Sequence, residues 1–275
     1  MVLLHYTLHY ALQDFISRII LIRYELDPSR PRTIYPFPPQ PEQTLYFFPY
    51  DQVKCHDHLH HRMAALCPHT IVGPQLIRVD LCMGYHVLVI VVGFHPGGLH
   101  RLLRIPMCEM VDQPFDASLL LGTEIQNLSA KLCNITNYDQ MVTLIQLYFL
   151  KMSKRLKEVL PIDKVLLRLI NGKNTLSIEQ LAQQACVSKR TLERQFQQRI
   201  GMAPKVFSRL LRFTKARTFR IEHPDMTWLH IANLCGYADQ MHLIRDFKEF
   251  ASTTPGLLEC AYEMSNLKQL AKAIL

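Results

Sequence analysis

Residues 187–204, VSKRTLERQFQQRIGMAP, and residues 236–250, GYADQMHLIRDFKEF, share one cadence: a short turn, a leucine, an arginine, a phenylalanine and, soon after, a proline. Leu192 and Phe196 stand four apart, as do Leu243 and Phe247, so each pair lies on one face of a helix. The residues between them differ. A chain that repeats an apolar frame while changing the outward positions builds one small packed unit twice and gives it two different surfaces. That pattern restricts this part of the chain to short helices.

Each unit has a second helix in front of it. In the first copy, Ser177 is placed to cap a helix that carries Glu179 in its first turn and Leu181, Ala182 and Ala185 on a narrow apolar face. Cys186-Val187 breaks it, and Ser188 is placed to cap the next helix, whose Lys189, Arg190, Glu193 and Arg194 face away from Leu192 and Phe196. In the second copy Ile231, Ala232, Leu234 and Cys235 precede Gly236, where positive φ costs little. Gln240, Met241, Ile244 and Arg245 take the outward positions there. Helix, tight turn and a second helix with polar residues at its start is a helix-turn-helix arrangement. Pro204 suits the first turn of a connecting helix over 204–222. At ~1.5 Å per residue it spans roughly 28 Å, near the ~34 Å repeat of duplex DNA, so two reading helices on one face would meet successive major grooves.

The charge falls in the same place. The 275 residues carry a net +8; from Pro161 onward there are seventeen Lys/Arg against ten Asp/Glu, whereas the first 160 residues hold fourteen against thirteen. A compact basic segment fits a polyanionic partner. Eight cysteines without a CxxC pair suit a reducing cytoplasm better than a disulfide framework or a zinc ribbon. The first residues, MVLLHYTLHYALQDF, lack the basic start of a signal peptide, and VLVIVVGF at 87–94 is too short to span a bilayer and reads as a buried strand. No phosphate-binding glycine loop, nucleophile elbow or carboxylate pair is evident, so a non-enzymatic, cytoplasmic protein without cofactor or catalytic residues is expected.

Up to about Ile135 the texture is strand-like, with IILIRYEL, TLYFFPY, QLIRVDLCM and YHVLVIVVGF separated by Pro, Gly and His. Pro36, Pro38, Pro39 and Pro41 suggest a loop entering a strand, and a short helix is expected after Pro96-Gly97-Gly98. From Tyr138 to about Leu160, Leu144, Tyr148, Met152 and Leu156 recur every four residues, which predicts an amphipathic helix that packs on its own domain or pairs two chains. The expected organisation is an α+β multidomain chain: a β-rich effector or regulatory domain over 1–137, a linker or dimerisation helix over 138–160, and an all-α domain over 161–275. The last holds helix-turn-helix motifs at about 177–199 and 228–250.

The C-terminal hundred residues resemble the DNA-binding domain of the AraC/XylS family of transcriptional regulators. The resemblance is carried by IEQLA, SKRTLERQFQQRIGMAP, RLLRFTKA, IANLCGY, DQMHLIRDFKEF and a closing Pro255, across most of 176–256. It implies that Arg190, Glu193 and Arg194 read bases in the first motif and Gln240, Met241 and Arg245 in the second. Lys189, Thr191 and His242 lie where the family makes neighbouring base or phosphate contacts. Cys186 and Ser252 stand where the family usually has glycine, and His230 where an acidic residue is common. Through IVGPQ and VGFHPGGLHRLLRIP the N-terminal half resembles, more loosely, the cupin-like β-barrel sensor domain of a subgroup. The implied partners are double-stranded DNA, a small-molecule effector, a second copy of the chain and RNA polymerase, for an activator or a repressor.

Other constellations compete. CHDHLHH, 55–61, contains zinc-ligand residue types in no common structural spacing and is expected to be a His-rich loop without metal. His95 and His100 flank a Gly-Gly turn and suit packing or ligand contacts. Tyr46, Phe47 and Phe48 fit a strand core better than an effector pocket. Two alternatives remain open: a metal-dependent cupin-like enzyme with a helical tether, and a protein that coats nucleic acid without sequence preference.

Overall fold

The computed structural model describes residues 1–29, 32, 34–57, 62–171 and 177–264. Ten strands fill the first part: β1 Val2–Tyr6, β2 Ile16–Glu25, β3 Ile34–Phe37, β4 Gln43–Phe47, β5 Lys54–Asp57, β6 Arg62–Ala65, β7 His69–Val72, β8 Val79–Cys82, β9 His86–Phe94 and β10 Pro114–Asp116. They form two antiparallel sheets, ordered β1-β2-β9-β4-β7-β10 and β3-β8-β5-β6. The central pair β2 and β9 runs in register from Arg18↔Gly93 to Glu25↔His86.

That register explains the unbroken apolar run of β9. Ile20, Ile22 and Tyr24 of β2, with Val87, Val89 and Val91 of β9, face the four-stranded sheet. Ile19 and Leu21, with Leu88, Ile90 and Val92, face the opposite way. Both faces of the sheet are covered, so no polar alternation is needed. The outer cover consists of α1 Gly98–Leu103, α2 Ala117–Leu121, α3 Thr123–Leu132 and α4 Tyr138–Ser153. Phe149 of α4 meets Phe15 and Phe94 edge to face at 6.3 and 5.9 Å.

Several expectations change here. Helices α2 and α3 occupy a region read as strand-like. Pro36 lies within β3, opposite Asp80, in a strand paired on one side only, where its missing N–H breaks no ladder. Cys55 and His56 belong to strand β5 rather than a solvated loop, and Cys55 is buried; residues 58–61 of the His-rich run lie outside the described residues. Among the described residues no cluster of His, Cys, Asp or Glu is arranged to hold a metal ion. Tyr148 is buried, and Leu144, Met152 and Leu156 pack against the same core, so of the two readings open for this stripe the structure shows packing on its own domain.

The remaining helices are α5 Pro161–Asn171, α6 Ile178–Gln184, α7 Lys189–Ile200, α8 Pro204–Glu222, α9 Trp228–Leu234, α10 Gln240–Ala251 and α11 Pro255–Met264. Helix α8 is the axis, with Phe207, Leu210, Phe213 and Ala216 fully buried. Phe196 of α7 meets Phe207 at 6.0 Å, and Phe247 of α10 meets Phe213 at 4.9 Å, both edge to face. Truncating either Phe196 or Phe247 to alanine would cost about 3–5 kcal/mol. The helical core is continuous with the interior between the sheets, because Tyr262 of α11 stacks on Tyr35 of β3 at 5.5 Å. No described helix is long and apolar enough to cross a membrane.

Candidate DNA-recognition surface

The two motifs match in their local bonding. Helices α6 and α9 are offset by 50 residues, and α7 and α10 by 51, so the second turn is one residue longer. In each, a turn N–H reaches back to the same alanine: Val187 to the Ala182 carbonyl and Tyr237 to the Ala232 carbonyl, both at 3.0 Å. Such a close return needs a left-handed residue in the turn. Gly236 supplies it at φ 75°, and Cys186 adopts it at φ 54° where a side chain is strained. Ser252, the other residue standing in for glycine, also has φ 54°.

The starts of all four helices are capped. Ser177 and Gln180 form a reciprocal capping box on α6. Ser188 accepts from the Thr191 N–H on α7, Thr227 from His230 on α9, and Asp239 from His242 on α10 at 2.8 Å. That backbone bond, with the nearby His242 ring, holds the Asp239 carboxyl below its ordinary range.

The caps fix which side chains leave the surface. Lys189, Arg190, Glu193 and Arg194 are exposed on α7, and Met241, His242 and Arg245 on α10. Thr191 and Gln240 are half-buried, Thr191 through its bond with Ser188. Ile244, expected to face outward, instead packs against the domain core. Lys189 pairs with Glu179 at 3.1 Å on an exposed surface, a contact worth little and readily exchanged for phosphate. The Arg190, Arg194 and Arg245 guanidinium groups have no ion-pair partner among the described residues.

The inner ends of both reading helices are tied down. On α10, Asp246 accepts from Arg209 of α8 at 2.7 and 3.0 Å, and Glu249 pairs with the same guanidinium. On α7, Arg199 is buried against Asp163 of α5, directly beneath Gly97 of the β-rich part. A Cβ on Gly201 would strike Pro74 and Met107, so the end of α7 rests on the first domain. Asp163, Arg199, Arg209 and Asp246 were not legible in the sequence as anything but solvated helix charges. His95 lines a cleft between the sheet and α8, and His100 is buried with Nδ1 2.9 Å from the Ile105 carbonyl; burial lowers the pKa of both.

A family model described as a helix-turn-helix domain matches residues 181–258, and one described as a domain of unknown function (DUF6597) matches residues 5–116. The chain is 36% identical over 80 residues to the transcriptional activator RhaS of Escherichia fergusonii, covering 29% of this chain and 28% of that protein. It is 31% identical over 91 residues to the transcriptional regulator ArgR of Pseudomonas aeruginosa, covering 33% and 27%. The chain therefore aligns with less than a third of the length of these relatives. ToxT of Vibrio cholerae shares the two-part fold, with a TM-score of 0.50 and 12% identity over 89% of this chain and 97% of ToxT. With its paired motifs joined by α8, the C-terminal domain is of AraC/XylS type.

Proposed function

We propose that the protein is a sequence-specific DNA-binding regulator of transcription, in which α7 and α10 enter successive major grooves. One observation carries this reading: Arg194 and Arg245 occupy equivalent positions on equivalent helices, both exposed and without an ion-pair partner among the described residues. Arginine in that position can take guanine O6 and N7 together, and Lys189 with the other surface cations supplies the salt-dependent phosphate attraction. Glu193, Thr191, Gln240, Met241 and His242 complete the two reading surfaces. RhaS and ArgR, similar in this domain, are both named transcriptional regulators. Selection of bound sequences from a random duplex pool, at one fixed salt concentration, tests the reading. Two short recurring blocks about one helical turn apart are expected; equal retention of every duplex would favour a non-specific coating protein.

The first domain is assigned the regulatory part. Between its sheets lies an apolar cavity of about 70 Å³, lined by Ile22, Phe37, Tyr46, Phe48, Met83 and Val91 among others. Alternation along β4 places Tyr46 and Phe48 at this cavity, while Phe47 turns to the opposite core. ToxT has been crystallised with an unsaturated fatty acid bound. Here the small volume suits a compact apolar molecule. The protein acts in the cytoplasm without catalysing a reaction, contacts RNA polymerase and works as a pair of chains. Sedimentation of the full chain with its selected duplex tests the pairing.

A further inference from the structure

The two reading helices differ in the chemistry they present. On α7 the outward set includes Arg190, Glu193 and Arg194, all exposed. Arg190 and Arg194 stand four apart, with Glu193 three after Arg190, so these ionic heads share one face of the helix. Even so, Glu193 pairs with neither arginine and has no ion-pair partner among the described residues. On α10 the set is Gln240, Met241, His242 and Arg245, with no acid among them. Met241 is 57% exposed, and the His242 ring keeps its Nδ1 3.1 Å from the Asp239 carboxylate of its own cap.

Each difference narrows the bases that can lie opposite. A carboxylate facing duplex DNA is repelled by phosphate and by the guanine and thymine acceptors in the major groove, so it fits only where a base offers an amino donor. A G·C pair supplies that donor as cytosine N4, and its guanine gives O6 and N7 to an arginine. An A·T pair offers the glutamate adenine N6 but gives an arginine no such pair of acceptors. Two arginines beside one glutamate therefore complement consecutive G·C pairs. An exposed methionine gains from an apolar partner, and the thymine methyl is the apolar group that the major groove displays. Gln240 matches adenine N6 and N7, and Arg245 matches guanine.

We propose that the DNA this protein selects is unlike in its two blocks: G·C pairs under α7, with a cytosine at Glu193, and an A·T-containing block under α10, with a thymine methyl against Met241. Glu193 and Met241 are the specificity-determining residues. Glu193 acts by rejecting bases that lack an amino donor, and Met241 by rewarding thymine. Because the blocks differ, one chain occupies its site in a single orientation. The inference rests on the reading of the protein as a sequence-specific DNA-binding regulator.

Bound sequences are selected from a random duplex pool with the full-length protein and, in parallel, with Glu193→Gln and Met241→Ser, all at one salt concentration. Both side chains are exposed, so the variants should melt with the parent. The parent should enrich one G·C-rich block and one block that contains thymine. Glu193→Gln should move a cytosine of the G·C-rich block to adenine, the base that an amide reads, and leave the other block unchanged. In the selected duplex, deoxyuridine in place of the second block's thymines removes only methyl groups. It should weaken the parent about fourfold and leave Met241→Ser unaffected. Two blocks of like composition, an unmoved cytosine with Glu193→Gln, or equal uridine effects in the parent and Met241→Ser would each overturn the proposal while sequence-specific DNA binding stands. Enrichment of no sequence at all would overturn that reading, and this proposal with it.

Discussion

Asp163 and Arg199 form an ion pair with each side chain only 6% exposed, Nη1 lying 2.8 Å from one carboxylate oxygen and 3.0 Å from the other. Burial is the largest influence on both: it pushes the Asp163 carboxyl up and the Arg199 guanidinium down from their ordinary values, against the attraction between them. Asp163 also accepts from the Leu160 N–H at 2.8 Å. The pair therefore joins the start of α5 to the end of the first reading helix, and it sits under Gly97, where a Cβ would come within 2.5 Å of the Asp163 carboxylate.

Removing one partner should be worse than removing both. Asp163→Asn or Arg199→Met is expected to cost about 3–5 kcal/mol, since each leaves an uncompensated buried group, and the Asp163→Leu/Arg199→Met double variant should recover much of that loss. Denaturant melts of the four proteins measure the coupling. Simple additivity of the single losses would show that the two side chains do not depend on each other.

Cys186 should be a stabilising target. It holds φ 54° in an exposed turn, so Cys186→Gly is expected to raise stability by about 1 kcal/mol by relieving left-handed strain. The equivalent Gly236 has φ 75° and open space around it, so Gly236→Ala should lower stability by about 1 kcal/mol from backbone strain alone. Opposite signs in paired thermal melts are the expected result.

Arg194→Ala and Arg245→Ala should each weaken binding to the selected duplex by about 1–3 kcal/mol and relax preference over a few base pairs, with little change on random DNA. Competition binding with the two duplexes reads this directly. Equal losses on both would place the arginines on phosphate.

The cap of the second reading helix should respond to acid. A carboxyl whose folded pKa is lowered contributes stability above its unfolded value, near ~3.9, and loses it as pH falls through the folded value. Between about pH 5 and about pH 2.5 the parent should therefore lose more melting temperature than Asp239→Asn, whose neutral amide caps at both ends of the range. Parallel curves for the two proteins would rule out this contribution.

The sequence by itself determined what depends on neighbours three or four residues away. Leu192 with Phe196, and Leu243 with Phe247, are spaced for one helical face, and Ser177 and Ser188 bond within three residues of themselves; periodicity and caps therefore located both motifs. The continuous apolar run of β9 was equally legible, because a strand covered on both faces has no polar side to show. The tertiary structure alone decided the rest. Whether Leu144, Tyr148, Met152 and Leu156 meet a second chain or their own sheet depends on where α4 lands, and an amphipathic stripe is the same in either case. Arg199, Arg209 and Arg217 are indistinguishable in the sequence from the exposed Arg194, since all four are cations on helices. Which of them clamp helices and which face solvent is fixed by packing partners tens of residues away: Asp163 for Arg199, Asp246 for Arg209 and Tyr262 for Arg217. Burial is a property of those long-range contacts, and local pattern does not encode it.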